Sequence, residues 1–158
     1  MTEMIINIDV DPKFAGCINS RWLKKLVGRA LELQGCDTRS EVSLMITGQH
    51  RIHELNRIFL EEDRPTDVLS FPMLEASKMN DFILPPDGIT HLGEVIVSYP
   101  QAVLQADDHG HTVETEMSIL VVHGLLHLLG FDHAGARDAK KMKTRETYIL
   151  KELGGSGA

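Results

Sequence analysis

The sequence predicts an α+β (mixed α/β) fold: a small mixed four-stranded sheet packed with about five helices. Two kinds of segment support this. Short runs with alternating or β-branched apolar residues indicate strands, and runs with apolar residues at helical spacing indicate helices. A third observation is the apolar run 119–129, which carries no Asp, Glu, Lys or Arg and predicts a buried helix against the sheet.

The four strands are predicted from local alternation and from the turn residues that end them. Pro12 follows the first strand, and Pro72 closes the third. Between Pro72 and Thr90 the chain is long and irregular, with Pro-Pro and Asp-Gly turn signals, which is typical of a functional or disordered loop. The predicted strands are 4–10, 41–47, 67–71 and 92–98.

The helices are predicted from apolar stripes and capping residues. Asn19 or Ser20 caps a first helix that runs to about Gln34, Pro100 suits the first turn of a third helix, and Thr112 caps a fourth. The remaining two helices are predicted over 52–59 and about 135–153.

Length and composition predict one domain over residues 1–153. With 158 residues, 42% of them hydrophobic and 25% charged, the chain resembles an ordinary globular domain. The sequence Gly-Gly-Ser-Gly-Ala at 154–158 predicts a disordered tail. Cys17 and Cys36 flank a predicted helix and are expected to be free thiols, and no signal peptide or membrane span is predicted. We therefore expect a cytoplasmic protein.

Net charge gives no support for nucleic-acid binding, because the chain carries a formal −7 at pH 7. Local patches matter more than the sum, however, and two helical segments are basic. For either segment alone, a solvated helix face is the ordinary explanation. The basic residues are Arg21, Lys24, Lys25 and Arg29 in the first helix, and Arg137, Lys140, Lys141, Lys143, Arg145 and Lys151 near the end.

Three histidines after residue 122 have the spacing of a metal site. His123 and His127 are four residues apart, so they lie on one face of a helix. Gly130 tolerates a positive φ and lets the chain turn back, which would bring His133 to the same point. Burying several imidazoles without partners is costly, whereas one shared metal satisfies all three. Three imidazoles and an open fourth position form the ligand set of a catalytic zinc.

The histidine spacing matches the metzincin pattern H-E-x-x-H-x-x-G-x-x-H, so the metal-bearing helix is predicted to be zincin-like. Gly124 stands where those proteases keep the glutamate that acts as general base. A peptidase or amidase is therefore disfavoured. A proton acceptor must come from elsewhere, or the 2′-hydroxyl of an RNA substrate must serve as the nucleophile.

Three sequence blocks resemble the YbeY family of bacterial endoribonucleases. The first is H-G-L-L-H-L-L-G-F-D-H at 123–133, the second is P-T-D-V-L-S-F-P at 65–72, and the third is L-G-E-V-I at 92–96. The likeness extends over most of residues 40–150. One departure is Leu60, which stands where the family often has an arginine.

The resemblance implies a zinc-dependent endoribonuclease, a hydrolase acting on phosphodiester bonds. It implies one Zn²⁺ per chain, held by His123, His127 and His133, although three imidazoles also accept other divalent transition metals. The implied substrate is single-stranded RNA, in the maturation of the 3′ end of small-subunit ribosomal RNA and in ribosome quality control. Implied partners are ribosomal RNA and proteins of the small ribosomal subunit, with no role for DNA or a membrane.

Six further residues are candidates for a supporting role. Asp132 is a candidate partner for a ligating imidazole, and an N-cap of the last helix is an equally good explanation. Glu116 lies two turns before His123, where a solvated position is the simpler explanation. Candidate substrate-binding residues are Ser70, Asp67, Arg57 and Arg64.

One alternative to catalysis remains open at this stage. The metal would then be structural, and the chain would be a ribosome assembly or RNA-binding factor. The other histidines (His50, His53, His91, His109 and His111) have no spacing relation to the three and are interpreted as surface residues.

Overall fold

The computed structural model describes residues 3–73, 88–132 and 135–154. Within these stretches the chain forms the predicted α+β fold, with four strands, five α-helices and a short 3₁₀ helix at Pro12–Phe14. The strands are β1 Ile5–Val10, β2 Ser40–Thr47, β3 Val68–Pro72 and β4 Thr90–Ser98. The helices are α1 Ser20–Leu33, α2 Gln49–Leu60, α3 Tyr99–His109, α4 Val113–Leu128 and α5 Ala136–Gly154.

The sheet is mixed, as predicted, with strand order β1-β2-β4-β3. β1, β2 and β4 run parallel, and β3 pairs antiparallel with β4 at one edge. Ser70 faces Val95 across this last pair, and Val68 faces Val97. The edge formed by β3 and β4 is the part of the sheet on which α4 packs.

The sheet buries apolar side chains on both faces. The larger core contains Leu44, Val95 and Val97 together with residues of α1, α4 and α5. A smaller cluster lies under α2, where Ile52 and Leu55 pack against Leu69 and Ile96. β2 and β4 therefore lie between layers of helix, which is why their sequences are apolar for much of their length.

Helix α4 is the central helix of the larger core. It contacts β3 and β4 as well as α1, α3 and α5, and nine of its residues are buried. Its apolar residues are distributed around the whole helix rather than along one stripe, as expected for a helix enclosed by other elements. The predicted cap is confirmed, because Thr112 Oγ1 accepts a hydrogen bond of 3.1 Å from the backbone N–H of Thr115.

Most boundaries differ from the prediction by one or two residues, and two differences are notable. α2 begins at Gln49, three residues before the first residue of its apolar stripe, and α5 extends through Gly154, which was predicted to begin a disordered tail. Residues 155–158, and residues 74–87 of the predicted long loop, lie outside the described residues. Both cysteine thiols are free, as expected. None of the helices described here combines the length and the apolar character that crossing a membrane requires.

Candidate metal centre

His123 and His127, here called the histidine pair, meet on one face of α4 near its C-terminal end. Their Nε2 atoms are 3.2 Å apart, and the two rings are inclined at 71°. Two nitrogen ligands at about 2.0–2.1 Å from a tetrahedral zinc lie about 3.3 Å from each other. Both side chains are half-buried. The pair therefore has the separation that two imidazoles of one zinc site require.

Glu146 of α5 fixes the ring of His123. Its Oε1 lies 2.7 Å from His123 Nδ1, and the residue is only 8% exposed. A carboxylate on Nδ1 holds the proton there and leaves Nε2 as the electron-pair donor. Sequence reasoning missed Glu146, although it lies on the buried stripe of α5 between Met142 and Ile149. An acidic residue on the apolar face of a helix was the available signal.

The chain turns sharply directly after the histidine pair. Gly130 has φ 96°, its N–H donates to the carbonyl of His127 at 3.1 Å, and the N–H of Phe131 donates to the carbonyl of Leu126 at 3.0 Å. These two bonds form a Schellman motif, which ends the helix where the glycine was predicted to end it. His133, the predicted third ligand, lies outside the described residues.

Gly124 is dictated by packing. A Cβ at this position would come within 2.6 Å of Val95 Cγ1 and 3.2 Å of Val68 Cγ2. α4 therefore approaches the sheet too closely for any side chain at residue 124. The position that carries the general base in zincin proteases faces the sheet in this fold, and a glutamate there would be incompatible with the packing.

The two predicted substrate residues of the β3 segment make structural contacts. Ser70 donates from its hydroxyl to the backbone carbonyl of Gly124 at 3.0 Å, so it ties β3 to α4 between the two histidines. Asp67 Oδ1 accepts from the N–H of Val68 at 2.8 Å, which shapes the start of the strand. These contacts give both residues a structural role, and their role in substrate binding stays a prediction.

The two arginines that were predicted to bind substrate lie on the protein surface. Arg57 is exposed on α2, and Arg64 forms an exposed ion pair with Glu62 at 2.9 Å. Leu60, in the place of the family arginine, is the last residue of α2 and is 48% exposed. A role for either arginine in RNA binding stays a prediction.

Asp132 is exposed at the end of the turn that follows α4. Because α5 begins at Ala136, the residue before the helix is Gly135, and Asp132 is not its N-cap. The capping explanation is therefore wrong. Its assignment as a partner of a ligating imidazole stays a prediction.

Glu116 is not a solvated helix position. The residue is 2% exposed, and its carboxylate is bound by three side chains from the end of α3 and the following turn. His109 Nδ1 lies 2.9 Å and His111 Nε2 lies 2.6 Å from Glu116 Oε1, while Gln105 donates to Oε2 at 3.0 Å. We call these four residues the Glu116 cluster.

The electrostatics of the Glu116 cluster follow from these contacts. Burial alone would raise the pKa of the Glu116 carboxyl, but the hydrogen bonds from His109, His111 and Gln105 outweigh it and lower the pKa below its ordinary value. The interpretation of His109 and His111 as unrelated surface histidines is therefore incomplete. Within residues 3–73, 88–132 and 135–154, one set of three side chains could hold a metal ion, and it is His109, His111 and Glu116.

Comparison with known proteins decides the family. A family model described as Endoribonuclease YbeY matches residues 9–154. The chain belongs to the YbeY endoribonuclease family. Relatives named Endoribonuclease YbeY include one from Dehalococcoides mccartyi strain CBDB1, which is 46% identical over 156 residues and is aligned over 96% of this chain and 94% of its own length.

Further relatives named Endoribonuclease YbeY match most of the chain. The protein of Roseiflexus castenholzii is 37% identical, with 96% of this chain and 94% of the relative covered. That of Brevibacillus brevis is 42% identical, with 84% and 87% covered. The solution structure of TM1509 from Thermotoga maritima superposes with a TM-score of 0.64 at 28% identity, over 96% of this chain and 90% of that one. The YbeY resemblance seen in the three sequence blocks is confirmed.

Proposed function

We propose that this chain is a metal-dependent endoribonuclease that cleaves single-stranded RNA, and that it acts in the cytoplasm on the 3′ end of small-subunit ribosomal RNA. Family membership supports the nuclease class, and the relatives carry the name endoribonuclease. The observation that carries the metal dependence is the histidine pair, with its two Nε2 atoms 3.2 Å apart and Glu146 bound to His123 Nδ1.

The residues of the histidine pair fit a divalent metal. Two imidazoles with converging Nε2 atoms, one of them held by a buried carboxylate, are the donor set that Zn²⁺ prefers. His123, His127 and, from the sequence, His133 would hold one Zn²⁺ per chain. When bound, such a metal supplies Lewis acidity toward a phosphoryl oxygen and an acidified water.

The protein's own residues prepare this site before any metal is present. Glu146 sets the tautomer of His123, and Ser70 fixes the helix backbone between the two histidines. Since Gly124 excludes a carboxylate beside His123 on the sheet side, proton acceptance falls to another group. The RNA 2′-hydroxyl as internal nucleophile, or Asp132 as an acceptor, would meet this need.

A cleft next to the turn after α4, largely apolar inside and with basic residues among those that line it, is suited to hold the RNA chain. It is lined by Phe131, Arg137, Lys140, Lys141, Thr144 and Arg145. Lysines and arginines bind the phosphates of a single strand, and an aromatic ring gives a base a surface for stacking. Arg145 is already engaged, because it bonds to Gln34 and to the carbonyl of Leu33, so Arg137, Lys140 and Lys141 are the available cations.

The test is cleavage of one end-labelled RNA, single-stranded or annealed to its complement, by wild type, His127→Ala and His50→Ala purified identically. His50 is an exposed histidine of α2, so its variant controls for the loss of a histidine elsewhere. A catalytic metal supplies several kcal/mol, so we expect His127→Ala to cut the single strand on the order of 10³-fold more slowly. His50→Ala should match wild type, and the duplex should resist cutting.

Equal cleavage by wild type and His127→Ala would contradict the proposal and identify a contaminating nuclease. Absence of cleavage by all three would favour the alternative of a metal-stabilised assembly factor. The ribosomal part of the proposal has a separate test. Cells whose only copy carries His127→Ala should accumulate small-subunit ribosomal RNA with an extended 3′ end, and normal ends would refute that assignment alone.

A further inference from the structure

The Glu116 cluster places three potential metal ligands at the opposite end of α4 from the histidine pair. One ring nitrogen of His109, one ring nitrogen of His111 and a Glu116 carboxylate oxygen all lie within 4.8 Å of one another. The Glu116 side chain is 2% exposed, that of His111 28% and that of His109 55%. An ion could therefore reach the cluster from solvent past His109, while the anionic ligand stays buried.

The chemistry of the cluster favours a cation. A buried carboxylate needs compensation for its lost hydration, and here two imidazoles and one amide surround it as hydrogen-bond partners. Two histidines and one carboxylate are also a common ligand set for Zn²⁺ and related transition metals. Around a metal, where ligand atoms are about 3.3 Å apart, the present contacts of 2.9 and 2.6 Å would lengthen by about 0.4 and 0.7 Å, and the wider separations in the cluster, which reach at most 4.8 Å, would shorten.

The backbone around the cluster is already ordered for such a role. Gly110 has φ 69° and lets the chain reverse between the two histidines, so that both point to the first turn of α4. The rings of His109 and His111 are 5.4 Å apart at an angle of 59°. An ion bound there would join the last residue of α3 and the connecting turn to α4.

The cluster is separate from the histidine pair. Glu116 and His123 are seven residues apart on one helix, which corresponds to about 10 Å along its axis. Two metals that act together on one phosphate are about 3.5–4 Å apart. Ions at the two sites could not share a phosphate.

We propose that His109, His111 and Glu116 form a second divalent transition-metal site that binds Zn²⁺ and fixes the α3–α4 connection. One imidazole comes from the end of α3, the other from the turn, and the carboxylate from the first turn of α4. The site stabilises the N-terminal end of the helix whose other end carries the histidine pair. Because its ligands are not those of the histidine pair, metal occupancy at the two sites is independent.

The test measures bound Zn²⁺ on metal-stripped, full-length protein by competition with a chromophoric chelator. Wild type should bind two ions per chain. The His127→Ala variant should keep the ion at the Glu116 cluster. The double variant with His109→Gln and His111→Gln should keep the ion at the histidine pair. Glutamine can still donate a hydrogen bond to Glu116, so the double variant preserves hydrogen bonding to the carboxylate and removes both imidazoles. His50→Gln is the matched control and should bind two.

Thermal unfolding of His127→Ala gives a second readout that does not depend on RNA cleavage. Zinc at ~100-fold above its dissociation constant should raise the Tm by about 5–10 °C. Adding His111→Gln to this variant should weaken the remaining Zn²⁺ affinity at least ~100-fold and abolish the shift, since one of three ligands is gone.

A wild-type stoichiometry of one ion that is lost in His127→Ala would overturn the second site and leave the Glu116 cluster as a hydrogen-bonded clamp. If His127→Ala binds one ion but adding His111→Gln leaves its affinity unchanged, the ion lies elsewhere and the assignment is also wrong. Neither result bears on the nuclease proposal, which depends on RNA cleavage by the histidine pair.

Discussion

The two histidine–glutamate groups of α4 have the same side-chain chemistry in opposite arrangements. In the Glu116 cluster a buried carboxylate is central, and two more exposed imidazoles surround it. Around the histidine pair two imidazoles are central, and the buried carboxylate of Glu146 binds the outer nitrogen of His123. The first arrangement stabilises a negative charge, while the second directs two electron pairs toward one point. The same residue types therefore serve different ends, according to which group is buried and which atoms converge.

The largest expected effect is on the metal affinity of the histidine pair. Glu146→Gln should weaken Zn²⁺ binding at the histidine pair by about 10–100-fold, because the amide no longer fixes the tautomer of His123 or adds charge to the ring. Chelator competition measures this in a His111→Gln background, with the exposed Glu152→Gln of α5 as control. RNA cleavage should fall at limiting zinc and recover at saturating zinc. An unchanged affinity would mean that Glu146 only packs α5 against α4.

The next effect concerns Gly124, which directly follows His123. Gly124→Ala should destabilise the fold by about 2 kcal/mol, because the new methyl would lie 2.6 Å from Val95 Cγ1. Gly28→Ala in α1 is the matched control, since its methyl would meet only the end of the Ile6 side chain at 3.3 Å. That variant should be neutral or up to about 1 kcal/mol more stable. Urea denaturation measures the free energy of unfolding of both variants. Equal changes in the two variants would contradict the close approach of α4 to the sheet.

A somewhat smaller effect is expected at the Glu116 cluster in metal-free buffer. Glu116→Gln should cost about 1.5 kcal/mol at pH 7, because hydrogen bonds to a charged acceptor become hydrogen bonds to a neutral one. The pKa of this carboxyl is lowered from its ordinary 4.5, so the advantage of wild type is present above about pH 4.5 and is lost as the pH falls through the folded-state pKa.

Unfolding at several pH values measures the difference for Glu116→Gln. The exposed Glu114→Gln in the same helical turn is its control and should show a smaller, flatter effect. A difference between wild type and Glu116→Gln that grows toward acid pH would have the wrong sign. It would show that the carboxyl is not stabilised in its charged form.

The smallest expected effect is at the cap of α4. Thr112→Ala removes the hydroxyl that accepts from Thr115 N–H and should cost about 1 kcal/mol, or about 2–4 °C in Tm. The exposed Thr144→Ala in α5 should be neutral or slightly stabilising, because alanine is the better helix former. If Thr144→Ala lowered the stability as much as Thr112→Ala, the lost cap would not be the cause of the effect at Thr112. Zinc affinity at the histidine pair should not change in Thr112→Ala, since the cap is about three turns away.

Local signals were enough to predict the fold. Alternation gave the four strands, and Asn19 and Thr112 marked helix starts that the structure confirms, since both side chains accept hydrogen bonds from the next turn. The start of α2 could not be placed because Gly48, its N-cap, makes no side-chain hydrogen bond and the first turn carries little apolar signal. Boundaries of this kind depend on tertiary packing rather than on local sequence.

Sequence spacing predicted only the part of the site that lies on one helix. His123 and His127 share one helix, so their meeting follows from helical periodicity. Glu146 is 23 residues from His123, and the pairing of His109 and His111 with Glu116 depends on a left-handed glycine at 110. Such contacts are set by how helices pack and how a turn reverses, and spacing alone does not encode them.

The enclosure of α4 also has a kinetic consequence. Five neighbouring elements cover this helix, so its central backbone cannot be exposed by fraying of one edge or one terminus. Its amide protons should therefore exchange with solvent deuterium only through global unfolding, in the slowest-exchanging group of the chain. The helix that positions both histidines of the pair is then the last part of the fold to open. Reversible metal loss and rebinding would leave that helix folded.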